Sequence, residues 1–410
     1  SDLTGLFSSS NSNTRTIAFG TGNISCSGTG TVWTTATVTN LTTTGTQVVN
    51  VTSPGSAAIT VTPGALSEAN SISFNFTGGS YAVTLSAGSN FRNLNFTGFA
   101  GTYANPTISV YGNLTLSTGM TVSSSLNTMT FAATSGSKTI TSNGKTMDFP
   151  VTFNGVGGTW QLQDAMTLGS ARTGTLTNGT LDLNGKTLTV GTRFTTATGT
   201  KNLTFNGGTL VCPDPNTTSF NNAAPTNFTT TAGTGTGTIS MTAATAKTFV
   251  GGGSTYNCTL NQGGAGTLTI TGANTFNNIT NTNATASQIT FPASTTTTVN
   301  NFTLSGTAGN LVSIRSSTSG TRFTLSDASG TVSVSYLNIQ DSAATGGATW
   351  QAFTSNGNVD NGNNTGWNFA SVVYVDGIAV INGTGTLTSA ASIIASFIAS
   401  IDGIGTVTSS

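Results

Sequence analysis

A pattern of three residues returns along most of the chain: an apolar residue, a polar residue and a second apolar residue, often preceded by asparagine. Successive copies lie about twenty residues apart, with 20 residues between Leu94 and Leu114 and 22 between Leu181 and Leu203. One copy is too short to bury its apolar side chains alone, so the copies must stack on one another. The pattern occurs in the segments NLNF at 93–96, NLTL at 113–116, TMTF at 128–131, PVTF at 150–153, TLDL at 180–183, NLTF at 202–205, NCTL at 257–260, NFTL at 301–304 and YLNI at 336–339.

This interval predicts an all-β fold, a parallel β-helix or β-solenoid rod in which each repeat forms one coil. Coils stacked about 4.8 Å apart would close a narrow apolar core, and about fifteen coils over residues 30–340 would give a rod roughly 70 Å long. We divide the chain into an N-terminal attachment or capping segment at 1–29, a solenoid body at 30–369 and a small C-terminal module at 370–410. A chain of β-sandwich domains is the alternative, although their period of about a hundred residues is not visible.

The composition supports strands and excludes several classes of partner. Only 5% of the residues are charged, and eleven basic residues balance eleven acidic ones, so no basic face for nucleic acid and no polybasic membrane patch can form. The surface must instead consist of Thr, Ser, Asn and Gly, of which Thr favours strands. Hydrophobic residues reach 35% with 22 Phe, which argues against disorder.

The end of the chain differs from the body. The segment NNTGWNF at 363–369 places Trp367 and Phe369 where a solenoid needs a cover for its last open coil. Two copies of one motif then follow, INGTGTLTS at 381–389 and IDGIGTVTS at 401–409. The residues between them have apolar side chains at helical spacing, with Ser389 as a possible cap and Gly403 as a stop. This tail is predicted to be a separate module, with a subunit-contact element as the alternative.

Two Gly-Lys-Thr tripeptides, at 144–146 and 185–187, resemble the end of a phosphate-binding loop. Such a loop requires another glycine five residues earlier, where this chain has Thr139 and Thr180, and it requires a following helix. The sequence therefore predicts solvated lysines beyond solenoid corners rather than a nucleotide site. The dipeptide Asn-Gly favours such corners because Asn and Gly tolerate the left-handed conformation. Four copies are predicted to be corners: Asn143-Gly144, Asn154-Gly155, Asn184-Gly185 and Asn206-Gly207.

The sequence offers little for catalysis, and no catalytic, cofactor-binding or metal-binding residue is predicted. The chain has no histidine, which closes the Ser-His-Asp and Cys-His routes. Glycosidases need two nearby carboxyl groups, and Asp148, Asp164 and Asp182 are the acids that neighbouring coils could bring together. Asp182 alternates with two leucines and should therefore face outward. We interpret each of the three as an isolated turn or surface acid.

Other reactive or sugar-binding residue types are also present. The cysteines are predicted to be buried thiols, with a Cys212–Cys258 bridge as the alternative. The tryptophans could stack on sugars but are interpreted as caps and core residues, and DNGNN at 360–364 is interpreted as a turn rather than a calcium loop. The cysteines are Cys26, Cys212 and Cys258, and the tryptophans are Trp33, Trp160, Trp350 and Trp367.

The run from 332 to 369, ending in GNNTGWNF, resembles the terminal coils of large β-helical surface proteins of bacteria and phages. The body, with NLTF, LNGKTLTV and NGGTL, is similar to the Thr- and Asn-rich solenoids of phage fibres and adhesins. The resemblance implies a β-helical protein that is a virion appendage or a cell-surface adhesin. It transfers no catalytic residues.

From the composition and this resemblance we expect a non-enzymatic structural protein of the virion surface, a phage fibre or appendage that contributes to attachment to host glycans. Its partners would be other virion structural proteins and further copies of itself, with a homotrimer as the expected assembly, and neither nucleic acid nor membrane insertion is expected. A secreted bacterial adhesin is the alternative. A polysaccharide-degrading enzyme is disfavoured by the sparse acids, and an ice-binding protein by Thr-x-Thr motifs that do not recur at a constant coil interval.

Overall fold

The computed structural model describes residues 2–53, 55–214 and 218–370. These residues form a parallel β-solenoid of about 16 turns, so the predicted all-β solenoid is confirmed and the β-sandwich alternative is wrong. At about 4.8 Å per coil, the rod is roughly 75 Å long. The predicted C-terminal module, including the segment between Ser389 and Gly403, lies outside the described residues beyond Ala370.

The strands are short because a coil turns a corner every few residues. The first fourteen are β1 Asp2–Leu3, β2 Phe7–Ser8, β3 Arg15–Ala18, β4 Ile24–Cys26, β5 Gly30–Thr34, β6 Leu41–Thr44, β7 Val48–Val51, β8 Ile59–Thr62, β9 Ile72–Phe76, β10 Ala82–Leu85, β11 Asn90–Asn95, β12 Thr102–Ala104, β13 Ile108–Val110 and β14 Leu114–Thr115. The next fourteen are β15 Thr121–Ser123, β16 Met129–Phe131, β17 Ser137–Thr141, β18 Thr146–Met147, β19 Val151–Leu162, β20 Met166–Leu168, β21 Thr173–Asp182, β22 Thr187–Thr189, β23 Arg193–Thr196, β24 Lys201–Thr204, β25 Thr209–Cys212, β26 Phe220–Asn221, β27 Phe228–Thr231 and β28 Gly237–Met241. The last are β29 Lys247–Val250, β30 Thr255–Gln262, β31 Leu268–Thr271, β32 Thr275–Asn281, β33 Ser287–Phe291, β34 Thr296–Phe302, β35 Val312–Ser316, β36 Phe323–Asp327, β37 Thr331–Ser333, β38 Leu337–Ile339, β39 Ser342–Gly346, β40 Thr349–Gln351, β41 Val359–Asp360 and β42 Trp367–Asn368, with one 3-10 turn at Thr354–Asn356.

The strands stack into long ladders that run along the rod. The largest sheet contains 21 strands, and a second sheet of ten strands runs from β18 to β39. A six-stranded sheet and two smaller ones complete the described coils. The pairing already begins at the N-terminus, where β1 pairs in parallel with β4 and β2 with β5, so the segment 1–29 contains strands of the first coil. Its role in attachment or capping stays a prediction.

The inner side chain of each apolar triplet stacks on its counterpart in the next coil. Met129 pairs with Val151 and Phe131 with Phe153 in the ladder between β16 and β19, while the intervening Thr130 and Thr152 lie on the outer side. Three phenylalanines, Phe194, Phe220 and Phe249, form one such column, with ring centroids 5.9 and 4.5 Å apart. Stacked aromatic rings fill the narrow core without leaving polar atoms unpaired. The short triplet is therefore sufficient as a repeat because its partners come from the coils above and below.

Three of the predicted Asn-Gly corners are confirmed. At Asn184-Gly185 both residues have positive φ, 50° and 72°, and the Lys186 N–H donates to the Leu183 carbonyl at 2.8 Å. The pairs Asn143-Gly144 and Asn206-Gly207 have the same conformation. Such a turn often closes an antiparallel hairpin. Here it leads from β21 to β22, which lie in different sheets, so it changes the face of the solenoid.

The fourth predicted corner is wrong, because Asn154 and Gly155 lie inside the strand β19. Asn154 accepts a hydrogen bond from the Nδ2 of Asn178 in the next coil at 2.8 Å. A Cβ on Gly155 would lie only 1.9 Å from the Ala133 carbonyl oxygen. This glycine is therefore required by close packing of two coils and not by a turn, a difference that the dipeptide alone does not reveal.

Candidate functional site

The three acids considered for catalysis each have structural hydrogen-bond partners. Asp164 accepts from the Ser142 N–H at 2.8 Å, and Asp148 pairs with Arg172, whose Nε lies 2.8 Å from Asp148 Oδ1. Asp182 is 7% exposed and accepts from Asn206 Nδ2 at 2.8 Å. These carboxylates fix neighbouring coils to one another, as the interpretation of each as an isolated structural acid predicts.

The expected stacking of Asp164 on Asp182 is wrong. The ladder between β19 and β21 places Asp182 beside Gln161, whose Nε2 donates to Asp182 Oδ2 at 3.1 Å. Asp148 follows β18, which belongs to the second sheet. The expected outward position of Asp182 also needs correction, because the side chains of Gln161 and Asn206 cover it.

All three cysteines are free and buried, and the alternative of a Cys212–Cys258 bridge is wrong. In the second sheet Cys212 pairs with Met241, whereas Cys258 pairs with Gly237. Burial raises the pKa of Cys212 to about 12, and burial followed by the charge of Asp2 raises the pKa of Cys26 to about 11. The thiols therefore stay protonated at neutral pH, and protonated thiols are poor nucleophiles.

The tryptophans do not present a surface for a sugar. Trp33 and Trp160 are fully buried, while Trp350 and Trp367 are 2% and 9% exposed. The last two pack edge to face with ring centroids 5.0 Å apart at the C-terminal end of the described coils. The Trp367 indole N–H donates to Ser342 Oγ at 3.0 Å. Sugar stacking on tryptophan would require rings that lie in solvent, which these do not.

Within the described ranges, no group of three or more His, Cys, Asp or Glu side chains lies close enough to hold a metal ion. The segment 360–364 forms a turn in which Asp360 Oδ1 accepts from the Gly362 N–H at 3.0 Å and from Asn364 Nδ2 at 2.6 Å. Among those same ranges, no helix has the length and apolar character needed to cross a membrane.

Two lysines in the middle of the rod are buried. Lys247 is 1% exposed and its ammonium donates to the carbonyl oxygens of Ala243, Gly264 and Gly266 at 2.9, 3.2 and 2.8 Å. Lys201 is 1% exposed and donates to two carbonyl oxygens, those of Gly199 and Thr226. Burial lowers the pKa of Lys247 to about 8. Both ammonium groups are fully occupied by the protein, so they serve the fold rather than a ligand.

A column of threonines lies on the second sheet. Thr187, Thr209, Thr238 and Thr259 occupy equivalent positions in four successive coils. The expectation that threonines would not align was therefore wrong for this column, because loops of different length separate positions that the ladder keeps in register. The neighbouring column is mixed and contains Thr189, Val211, Ser240 and Asn261.

The clearest candidate binding site is a surface groove of about 920 Å³ near the N-terminal third of the rod, which we call the axial groove. It crosses successive coils, because its residues come from the loop before β9, from β11, from the β13–β14 connection and from β17. Its lining consists of Ser67, Glu68, Ala69, Arg92, Asn93, Tyr111, Gly112, Asn113, Thr134, Ser135, Ser137 and Lys138.

Two loops border the axial groove and touch through Glu68. This carboxylate accepts from the N–H of Thr134 at 3.1 Å and from its hydroxyl at 2.6 Å, although the two residues lie 66 positions apart. The loop between β8 and β9 therefore reaches the loop before β17. Because this bridge joins distant coils, it holds the shape of the groove between them.

Hydrogen bonds along the floor of the groove fix its polar side chains. Asn93 Oδ1 accepts from the Asn113 N–H at 2.7 Å, and Asn113 Oδ1 accepts from the Thr139 N–H at 2.8 Å. The Tyr111 hydroxyl accepts from Asn90 Nδ2 at 3.2 Å. Burial, followed by the charge of Glu68, raises the pKa of Tyr111, so its phenol is neutral.

Sequence reasoning missed this site. Arg92, Tyr111 and Lys138 lie 19 and 27 residues apart, and such uneven spacing hides the fact that they occupy neighbouring coils. The asparagines carried a usable signal, since Asn93 and Asn113 are separated by one coil of 20 residues. Extending that interval in both directions would have brought the basic residues and Tyr111 onto one face.

Comparisons of the chain with protein-family models, with curated proteins and with solved structures gave no match.

Proposed function

We propose that this protein is a non-enzymatic structural rod exposed outside a cell, specifically a fibre or appendage of a phage virion that contributes to attachment to host-surface glycans. The observation that carries the proposal is the long column of parallel coils with a surface of hydroxyl and amide groups. A solenoid satisfies its backbone hydrogen bonds between coils, which makes it a stiff spacer. The resemblance of GNNTGWNF to the terminal coils of phage and bacterial surface proteins supports the same assignment.

The polar contacts of the acids support a non-enzymatic role. Asp148, Asp164 and Asp182 are committed to neighbouring coils, and a glycosidase needs two carboxyl groups facing each other across an open site. Replacement of Asp164 or Asp182 by alanine should therefore leave any interaction with glycans unchanged.

A secreted bacterial adhesin is the second candidate, since the same surface and the same terminal motif support it. Immunogold labelling with antibodies against the solenoid body separates the two. Gold on phage particles supports the virion assignment, and gold on the bacterial envelope supports the adhesin. Labelling of neither particle nor envelope would contradict a surface role.

A homotrimer is the assembly that the proposal favours, with other virion structural proteins as further partners. Analytical ultracentrifugation over a wide concentration range checks this point, and a monomer throughout would contradict the trimer.

Ice binding is not proposed. Ordering of water requires a two-dimensional array of like groups, and the threonine column at Thr187, Thr209, Thr238 and Thr259 lies beside a mixed column. We expect no thermal hysteresis from the purified protein.

A further inference from the structure

The axial groove concentrates charge in a chain that has very little. Arg92 and Lys138 are two of its eleven basic residues, and Glu68 is its only glutamate. The Glu68 carboxylate is occupied by the N–H and the hydroxyl of Thr134. The groove therefore presents two cations against one anion that already has hydrogen-bond donors.

Both cations retain donors for a ligand. Arg92 uses Nη2 on the Ala69 carbonyl oxygen at 3.0 Å, and within the described part of the chain its other N–H groups have no acceptor. The ammonium of Lys138 has no acceptor in that part either. A guanidinium with free N–H groups binds carboxylates in a two-pronged geometry, and a nearby ammonium adds a second positive charge.

Two neutral side chains of the groove suit a sugar. The Tyr111 ring lines the groove while its hydroxyl is held by Asn90, so the ring is fixed in place. Asn113 uses its carbonyl oxygen on the Thr139 N–H, and its NH₂ has no acceptor among the described residues. An aromatic face beside an amide donor can hold the apolar face and a hydroxyl group of one sugar ring.

The direction of the groove suits a chain-like ligand. Glu68, Arg92, Tyr111 and Lys138 come from four successive coils, which span roughly 14 Å along the rod at the usual strand spacing. Two basic residues are too few for a nucleic acid, whose binding depends on many phosphate contacts. A repeating acidic sugar polymer satisfies both the length and the charge.

We propose that the axial groove binds a segment of carboxylated polysaccharide. Arg92 and Lys138 pair with the sugar carboxylates, Tyr111 packs against a sugar ring, and Asn113 donates to a hydroxyl group. This assignment rests on the proposed role in attachment to host glycans and gives that role a ligand class and a place on the rod.

The test is isothermal titration of the full chain with short oligomers of galacturonate, of mannuronate and of sialate. Carboxyl-reduced oligomers of the same length serve as neutral ligand controls. We expect binding of at least one carboxylated oligomer, weakening with added salt, and loss of binding after carboxyl reduction. Equal binding of reduced and unreduced oligomers, or no binding of any carboxylated oligomer, would overturn the assignment.

Variants locate the site. Arg92→Gln together with Lys138→Gln should weaken binding by at least about tenfold, the cost of losing one charge-assisted contact. Lys186→Gln removes one positive charge at a corner outside the groove and should bind as the wild type does. Glu68→Gln removes the carboxylate and keeps an acceptor for Thr134, so it should strengthen binding. Wild-type affinity in the double variant, with an unchanged melting temperature, would sink the proposal.

The two levels of the proposal fail separately. Gold on virions or cells without any oligosaccharide binding would leave the surface role standing and remove the groove assignment. Oligosaccharide binding without labelling of either surface would have the reverse consequence.

Discussion

Two regions of the rod use basic side chains in opposite ways. In the axial groove, Arg92 and Lys138 keep free N–H groups beside a solvent-filled cleft. In the middle of the rod, Lys201 and Lys247 are 1% exposed and donate to backbone carbonyl oxygens. A chain with so few charges thus places some where a ligand can reach them and others where only the fold can.

The difference follows from the position of each residue within its coil. Lys247 pairs with the inner residue Leu268 in the ladder between β29 and β31, so its side chain starts on the core side and must find acceptors there. Lys138 pairs with Trp160 at the start of β17, next to a loop that opens to solvent. The residue type alone therefore does not distinguish a structural lysine from a binding one.

The largest effect is expected for Lys247→Met. This substitution leaves three buried carbonyl oxygens without their shared donor, which should reduce the free energy of unfolding by about 3 kcal/mol. Urea denaturation followed by circular dichroism measures the loss. A variant as stable as the wild type would show that the ammonium contributes nothing to the coil.

A smaller loss is expected for Lys201→Met, because only two carbonyl oxygens lose their donor. We expect about 2 kcal/mol by the same measurement. If Lys201→Met proved more damaging than Lys247→Met, the number of carbonyl partners would not be what orders the two sites.

Alkaline pH sharpens the contrast further. The pKa of Lys247 is about 8 in the folded chain, below its ordinary value of 10.5, because burial disfavours the charged form. Above pH 8 the unfolded chain then binds more protons than the folded one, so stability conferred by Lys247 rises with pH until the unfolded lysine also titrates. Urea denaturation between pH 8 and about pH 9.5 should show the wild type gaining stability relative to Lys247→Met. A parallel pH profile for the two proteins would contradict the shift.

The smallest effect is expected in the axial groove. Lys138→Gln removes no hydrogen bond within the described residues, so the free energy of unfolding should change by less than about 0.5 kcal/mol. The same urea titration checks this prediction, and a loss comparable to that of Lys201→Met would mean that Lys138 supports the coil.

Much of the fold could be predicted because its repeat is local. Each apolar triplet pairs with a like triplet one coil away, as Met129 does with Val151, so the interval between copies is visible in the sequence. Asn184-Gly185 was predicted as a corner because both residues tolerate positive φ. Asn154-Gly155 was mispredicted because its glycine answers to the Ala133 carbonyl of another coil.

The axial groove could not be predicted because loops set it. The contact between Glu68 and Thr134 joins two loops 66 residues apart, and loop length and direction follow no repeat. The threonine column was missed for a related reason, since Thr209 and Thr238 are 29 residues apart and yet lie in register. Ladder register is a property of the coils, whereas sequence distance also counts the loops between them.

The most direct test of this account is acetylation of lysines in the native protein, read by mass spectrometry with and without a carboxylated oligosaccharide. We predict that Lys138 and Lys186 react in the free protein, and that the oligosaccharide protects Lys138 alone. Lys201 and Lys247 should react only after unfolding, because their ammonium groups are buried. Equal reactivity of all four lysines in the folded protein, or reaction of Lys138 unaffected by every oligosaccharide, would contradict the account.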